Sequence, residues 1–548
     1  MKAHDAIRAA LTEAAARLGA SVAASTIELE QPRDPAHGDL ATNLALTLAK
    51  SLKQKPRAVA DRLVATLTLP QGLVRKIEVA GPGFVNFFLA EAQLATVLAG
   101  VLAAGGNYGK GDAGRGTKVN VEFVSANPTG PLHVGHGRGA ALGDGIASLL
   151  EWTGHAVTRE FYVNDAGTQI DKLARSLWAR VQQAVGRPAD IPEGGYHGEY
   201  LIELAAAVLA REGRSFADLP QDEGERRCRE IGVQSQRAEQ DEDLREFGVK
   251  FDVTFFESSV YRDGLLDQTL ADLRARGYTY ERDGALWLRT TAFGDDKDRV
   301  LRKSDGTYTY LLPDIAYHRQ KHERGFARAI DVLGADHHGY IGRMRAAMQA
   351  LGYPADFYHV ELVQLVRVVR GGEEVRFSKR SGEFVTLRDL FQETGVDAAR
   401  YFFLMRRGDA QFVFDVDLAK SQKEENPVYY VQMAHARMSG IFRVAAREPA
   451  SVRADGVDLA VLVEPEEADL MKEVAAFPSV VARAAETLEP HRVTGYLEGL
   501  ARRAHGWYHK YRVLGEPEEA ARLVLAGAVR HVLANGLNLL GISAPDRM

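Results

Sequence analysis

Two imidazoles three positions apart carry the first sign of chemistry: His133 and His136, in His133-Val134-Gly135-His136. On the first turn of a helix, residues i and i+3 share a face. The helix N-terminus adds unpaired N–H groups and partial positive charge, a setting suited to a polyphosphate. Imidazoles can donate hydrogen bonds to phosphate oxygens whose charge grows during displacement at phosphorus. Gly135 would let a flat ligand approach the backbone. The same spacing also fits two structural histidines, or a metal pair, which would need a third ligand and a supporting shell. A second cluster lies far along the chain, Arg376-Phe377-Ser378-Lys379-Arg380-Ser381-Gly382. A basic loop rich in Ser and Gly can clamp phosphates, with Lys379 as point charge and Ser378 as donor. Alone, it also reads as a solvated charged turn.

The elements around these clusters point to a nucleotide fold. Val119, Val121, Phe123 and Val124 form a short β-branched and aromatic run, read as a strand. Asn127-Pro128-Thr129-Gly130-Pro131 breaks it. Apolar residues then recur with helical spacing at Ile146, Leu149, Leu150 and Trp152. Strand, loop and helix in that order set the histidines at the carboxyl end of a parallel strand, where open α/β sheets bind ligands. Glycines 137, 139, 143 and 145 each cost about 1 kcal/mol of helix propensity, so close packing or close ligand approach is expected. Residues 360–369 read as the last buried strand, leading into the basic loop. A second strand, 157–163, precedes a helix over 168–185. Asp283-Gly284 turns a hairpin over 278–288. A further strand, 329–333, ends at Gly334-Ala335-Asp336-His337-His338.

The first unit, residues 1–110, is predicted to be α+β. Its helices are expected at 4–19, at 39–54 capped by Asp39, and at 56–66 opened by Pro56. Strands at 77–80 and 84–89 flank Gly81-Pro82-Gly83, and a Gly-rich linker runs over 107–116. The catalytic unit spans 117–420. Its charged, helical stretch over about 186–275 reads as an insertion splitting two half-sheets. Residues 426–548 carry apolar faces at 3.6-residue spacing, such as Leu470/Val474/Phe477, and read as an all-α bundle. Its aromatics, among them Tyr429, Tyr430, Trp507, Tyr508 and Tyr511, alternate with arginines in a way that could meet RNA, although core packing explains most of them.

Composition narrows the class. The chain has 548 residues, 68 Lys and Arg against 74 Asp and Glu, and a single cysteine, Cys228. One cysteine excludes an intramolecular disulfide and a Cys-rich zinc site, and fits a reducing cytoplasm. The start lacks the apolar segment of a secretory signal, and no run suits a membrane span. Mild net acidity argues against a nonspecific nucleic-acid coat but permits local basic patches, since salt screens distant charge.

Together the two clusters resemble the HIGH and KMSKS signatures of class I aminoacyl-tRNA synthetases. The surroundings narrow the resemblance to arginyl-tRNA synthetases of bacterial type. They are Glu122-Phe123-x-Ser125-x-Asn127-Pro128, the run Tyr162-Val163-Asn164-Asp165-Ala166-Gly167-Thr168-Gln169, Tyr310-x-x-x-Asp314-Ile315-Ala316-Tyr317-His318, and Gly334-Ala335-Asp336-His337-His338-Gly339-Tyr340. The resemblance implies a Rossmann-like catalytic domain between an N-terminal domain touching the tRNA elbow and a helical anticodon-binding domain. It implies ATP as substrate with Mg²⁺, L-arginine and tRNA(Arg) as partners, no zinc or other protein-held metal, and a monomer. His133, His136, Ser378 and Lys379 would be catalytic. Gly135, Gly334 and Asp336 would hold ATP, with His337 where an amide is common. A planar, permanently charged guanidinium calls for carboxylates and an aromatic wall. By resemblance Glu122 and Asp314 bind it, Tyr310 shapes the pocket, and Asn127 takes the backbone end of the amino acid. The basic loop departs from its signature, with Arg376, Phe377 and Arg380 replacing Lys, Met and Ser. The family also implies that tRNA binds before the adenylate forms. Other readings are a class I synthetase for another amino acid, a small-molecule nucleotidyltransferase, and a non-catalytic RNA-binding paralogue.

Overall fold

The computed structural model describes residues 3–548 except 31, 33–36, 166 and 376–384. Its centre is a five-stranded parallel sheet in the order Tyr358–Val363, Arg328–Gly334, Lys118–Glu122, Ala156–Val163, Val253–Phe256. From the strand Lys118–Glu122 the chain winds outward on one side, then returns to the other side at Arg328–Gly334. That reversal opens a crevice at the carboxyl ends of the two central strands, the usual ligand position in such sheets. The helix Val134–Trp152 packs across the sheet. Glycine makes this approach possible: a Cβ at Gly143 would lie 2.2 Å from Phe123 Cγ, and one at Gly137 would lie 2.5 Å from Leu387 Cδ1. Close packing is thus what these two glycines serve.

Several expectations change. The predicted helix 39–54 divides into a strand, Leu40–Thr42, and a helix, Leu44–Ala49. Asp39 caps neither. Its carboxylate accepts from Leu89 N at 2.7 Å and pairs with Lys472 Nζ at 3.0 Å, tying the N-terminal sheet to the C-terminal bundle. That sheet is three-stranded and antiparallel, in the order Leu40–Thr42, Phe84–Leu89, Val74–Ala80. The run read as one strand over 360–369 breaks at Gln364-Leu365. Tyr358–Val363 stays in the central sheet, and Val366–Arg370 joins a small sheet with Glu373–Glu374 and Phe412–Asp415. The buried Arg138 donates to the carbonyls of Gln364, Arg407 and Ala410, holding the break.

The segment 186–275 is not wholly an insertion. Its helices Glu199–Glu212 and Gln221–Glu246 pack with Thr168–Ala184 around a separate core that includes Leu177, Trp178, Phe216 and Cys228. Val253–Phe256, however, is an edge strand of the central sheet, and Leu265–Ala275 packs on the helix Leu311–Glu323. The helix Glu91–Ala104, absent from the sequence reading although its residues fall in the first unit, packs against Pro465–Thr487 and Glu519–Leu539 of the C-terminal bundle. Pro427–Val444 and His491–Lys510 complete that bundle. Leu470, Val474, Phe477 and Trp507 are fully buried in it, while Tyr508 is exposed. Among the described residues, no helix is long and apolar enough to cross a membrane.

Candidate active site

The central strand ends at Glu122, two residues short of the predicted run. Val124 and Ser125 turn sharply, with φ of +67° and +41°. A β-branched residue in the left-handed region costs on the order of 1–2 kcal/mol, and such strain collects at functional sites. The turn is held by Ser125 Oγ, which donates to Glu122 Oε1 at 2.9 Å and accepts from Tyr162 N at 3.1 Å. The next turn is clamped from the insertion. Gln240 Nε2 donates to the carbonyls of Asn127 and Gly130, both at 3.0 Å, and Tyr200 Oη donates to Thr129 O at 2.8 Å. Asn127 Nδ2 donates to Gln169 at 2.6 Å.

His133 and His136 cap the helix that follows. His136 N donates to His133 Nδ1 at 3.2 Å, and His133 N donates to His136 Nδ1 at 3.3 Å. The rings stack with centroids 3.6 Å apart. With each Nδ1 accepting, each neutral ring carries its proton on Nε2. Burial lowers both pKa values, His136 the further, with the charge of His133 as its second cause. The pair is therefore neutral at pH 7 and presents Nε2–H donors. Gly135 also makes room for the His133 ring: a Cβ there would lie 2.9 Å from His133 Cε1. A cavity of about 230 Å³ adjoins the two histidines, lined also by Asn127, Thr129, Tyr196 and Tyr200.

Ser378 and Lys379 lie outside the described residues. The segment just beyond them is anchored beside the histidines: Leu387 N donates to Leu132 O at 2.7 Å, and Val134 N donates to Val385 O at 3.2 Å. Gly334 and Asp336 stand at the carboxyl end of the neighbouring strand, with the Asp336 side chain 82% exposed and 3.6 Å from His337. A carboxylate in that position can reach a ribose.

The side chains expected to bind a guanidinium separate into two layers. Asp314, in the first turn of Leu311–Glu323, accepts a short hydrogen bond from Tyr340 Oη. Among the described residues it has no ion-pair partner. Burial, reinforced by the charges of Glu122 and Asp331, pushes its pKa up to about 6. Glu257 is raised for the same reasons, burial first and then the charges of Asp314 and Asp165. Two carboxylates short of a cation await a positively charged group. Glu122 lies deeper and already has one: Lys321 Nζ donates to its Oε2 at 2.6 Å, as does Tyr317 Oη at 2.8 Å. Tyr310 is 89% exposed at the helix N-cap rather than packed as a wall. The aromatic partner of Asp314 is Tyr340, and Tyr162, its phenol pKa raised by burial and by the nearby Glu257 and Asp314, faces the same carboxylates. Glu257 escaped the sequence reading because it follows a four-residue strand in a stretch without a motif. Its only signal was an acid directly after Val253-Thr254-Phe255-Phe256.

The arrangement can seat a cation beside neutral imidazole donors. Comparison with known proteins gives it a setting. Three family models match in succession: "Arginyl tRNA synthetase N terminal domain" over residues 1–89, "tRNA synthetases class I (R), catalytic domain" over 97–437, and "DALR anticodon binding domain" over 431–548. The chain is 49% identical to the arginine–tRNA ligase of Geobacillus kaustophilus over 98% of both chains. It is 52% identical to that of Geotalea daltonii over 95% of both. The Thermus thermophilus arginyl-tRNA synthetase superimposes with a TM-score of 0.76 at 25% identity, covering 100% of each chain.

Proposed function

Because this chain belongs to the arginyl-tRNA synthetase family and is an arginine–tRNA ligase that uses ATP, we propose that its two unpaired carboxylates select the amino acid and its paired histidines activate it. Asp314 and Glu257 accept the guanidinium fork, Glu122 offers its remaining acceptor from the layer beneath, and Tyr340 fixes Asp314. Asn127 takes the amino-acid end. The arginine carboxylate then attacks the α-phosphorus of ATP, releasing pyrophosphate and forming arginyl-adenylate. His133 and His136 donate through Nε2 to the phosphate as its charge grows. Ser378 and Lys379 cover the β- and γ-phosphates, Gly334 and Asp336 hold the adenosine, and Mg²⁺ travels with ATP rather than in a protein cage. A 2′-hydroxyl of the terminal tRNA ribose next attacks the activated carbonyl, and AMP departs. Positioning and charge stabilisation suffice, with no covalent enzyme intermediate. The enzyme works as a cytoplasmic monomer, its bundle and N-terminal domain contacting the tRNA.

The observation that carries this reading is the Asp314–Glu257 pair, both raised in pKa and neither in an ion pair among the described residues. ATP–pyrophosphate exchange tests it, with each amino acid in turn and with or without tRNA. Arginine alone should support exchange, and only when tRNA is present. Exchange with a neutral amino acid and none with arginine would refute the pocket.

A further inference from the structure

Beneath the arginine pocket lies a buried ion network that the reaction as described does not use. Lys321 is seven residues after Asp314 on the same helix, and is wholly buried. Its ammonium donates to Glu122 Oε2 at 2.6 Å and to Asp331 Oδ1 at 2.9 Å, joining two adjacent strands where these residues lie side by side. It also sits 4.5 Å from the centre of the Tyr317 ring. Asp331 Oδ2 lies 2.7 Å from His318 Nε2, while His318 Nδ1 donates to the Asp314 carbonyl at 2.8 Å. Glu160, the third carboxylate, is held by Arg324 at 2.7 Å.

Such a cation is costly. Burying an ammonium carries a penalty of several kcal/mol, and an apolar side chain in its place is often no worse for stability. Its position suggests what the penalty serves. Ligand atoms of Glu122, His318 and Asp331 all lie within 4.8 Å of one another, a grouping that could capture a divalent ion, yet the ammonium already bridges two of them. A carboxylate offers about four acceptor positions. Ser125, Tyr317 and Lys321 occupy three on Glu122. One is left, and the ammonium offsets part of the negative charge that Glu122 shares with Asp331.

We propose that Lys321 is a positioning residue for arginine: tied between Glu122 and Asp331, it offsets part of their charge and orients the one remaining acceptor of Glu122 toward the amino acid, so that attraction for the guanidinium centres on Asp314 and Glu257. The inference rests on Glu122 belonging to the arginine pocket.

The test is a double-mutant cycle of Lys321→Met and Glu122→Gln in the full-length enzyme. Arginine and ATP KM are measured by pyrophosphate exchange with tRNA present, together with the thermal midpoint. Lys321→Met should raise the arginine KM at least about tenfold and leave the ATP KM within about twofold. In the Glu122→Gln background it should add less than about twofold, because it acts through Glu122. Lys321→Ala should regain arginine affinity on addition of propylammonium, which a purely structural role would not produce. If Lys321→Met does not fold, Lys321→Arg keeps the charge, shifts its position, and should show the same split between arginine and ATP. Effects of the two substitutions that multiply, an unchanged arginine KM, or arginine and ATP constants moving together without rescue would overturn the inference. An arginine KM unaffected by Glu122→Gln alone would instead take Glu122 out of the pocket, and this inference with it, while leaving Asp314 and Glu257 in place.

Discussion

Replacing Asp314 by Asn removes one negative charge and little else. Asn keeps the carboxylate's shape and an oxygen to accept from Tyr340, so the helix Leu311–Glu323 should keep its place. In the proposed pocket the partner of that charge is the substrate guanidinium, and no side chain among the described residues forms an ion pair with it. Truncating one member of a buried, hydrogen-bonded charge pair costs about 2–5 kcal/mol, or roughly a 30- to 4000-fold rise in arginine KM. ATP binds elsewhere in the crevice, so its KM should stay within about twofold. Pyrophosphate exchange in the presence of tRNA measures both. A pH series adds a check. The pKa of Asp314, raised to about 6 by burial, makes the carboxylate anionic above that value. Below it, protonation should weaken arginine binding by about one log unit per pH unit, a limb that Asp314→Asn should lack. For stability the sign is opposite: the raised pKa favours folding in acid, a contribution complete below the usual value of about 3.8 and gone above about 6. An arginine KM changed less than threefold, or an ATP KM that rises in step with it, would refute the assignment.

Gly135→Ala should place a methyl 2.9 Å from the His133 ring, tilting it from the phosphate. A fall in kcat of about tenfold or more, with a thermal midpoint shifted by no more than a few degrees, is expected from single-turnover and melting measurements. Burial lowers the pKa of His133 and lowers that of His136 further, so any acid limb of adenylate formation that comes from these rings should lie below that of an ordinary imidazole. Their contribution to stability is present above about 6.5 and lost as pH falls through the lowered values. Lys379→Ala should reduce kcat for adenylate formation with little change in arginine KM; full kcat would transfer that role to Arg376 or Arg380. Arg400→Met should lower the thermal midpoint, since Arg400 is buried and bonded to Asp144, Phe247 O and Leu540 O. Breaking such a pair costs about 3–5 kcal/mol, although Asp144 retains Arg159 at 3.0 Å.

What could be read from the chain was mostly local. The strand and helix around the histidine motif, the Asp283-Gly284 hairpin and the bundle all announce themselves in period or turn chemistry, and each is present. Misread elements depend on partners distant in sequence. Leu40–Thr42 looks helical until paired with Phe84–Leu89, more than forty residues on. The break at Gln364-Leu365 has no Gly or Pro and is made by Arg138, over two hundred residues earlier. At the site, motifs gave residue types but not their layers. Glu122 and Asp314 look alike in sequence, and only the buried Lys321 distinguishes a paired carboxylate from a waiting one.

The helix Glu91–Ala104 has a practical consequence for dissecting the molecule. Its place between two helices of the C-terminal bundle, reinforced where Asn535 Nδ2 donates to the Gly105 and Tyr108 carbonyls at 2.9 and 3.0 Å, means that the two ends of the chain share one folding unit. A deletion of the N-terminal domain can begin at residue 91 and leave the bundle whole. One that begins at the Gly-rich stretch near residue 110 would strip a helix from the far end of the protein. Limited proteolysis should follow the same seam, releasing a piece when it cuts near residue 90 but leaving the 91–108 segment bound when it cuts near 112.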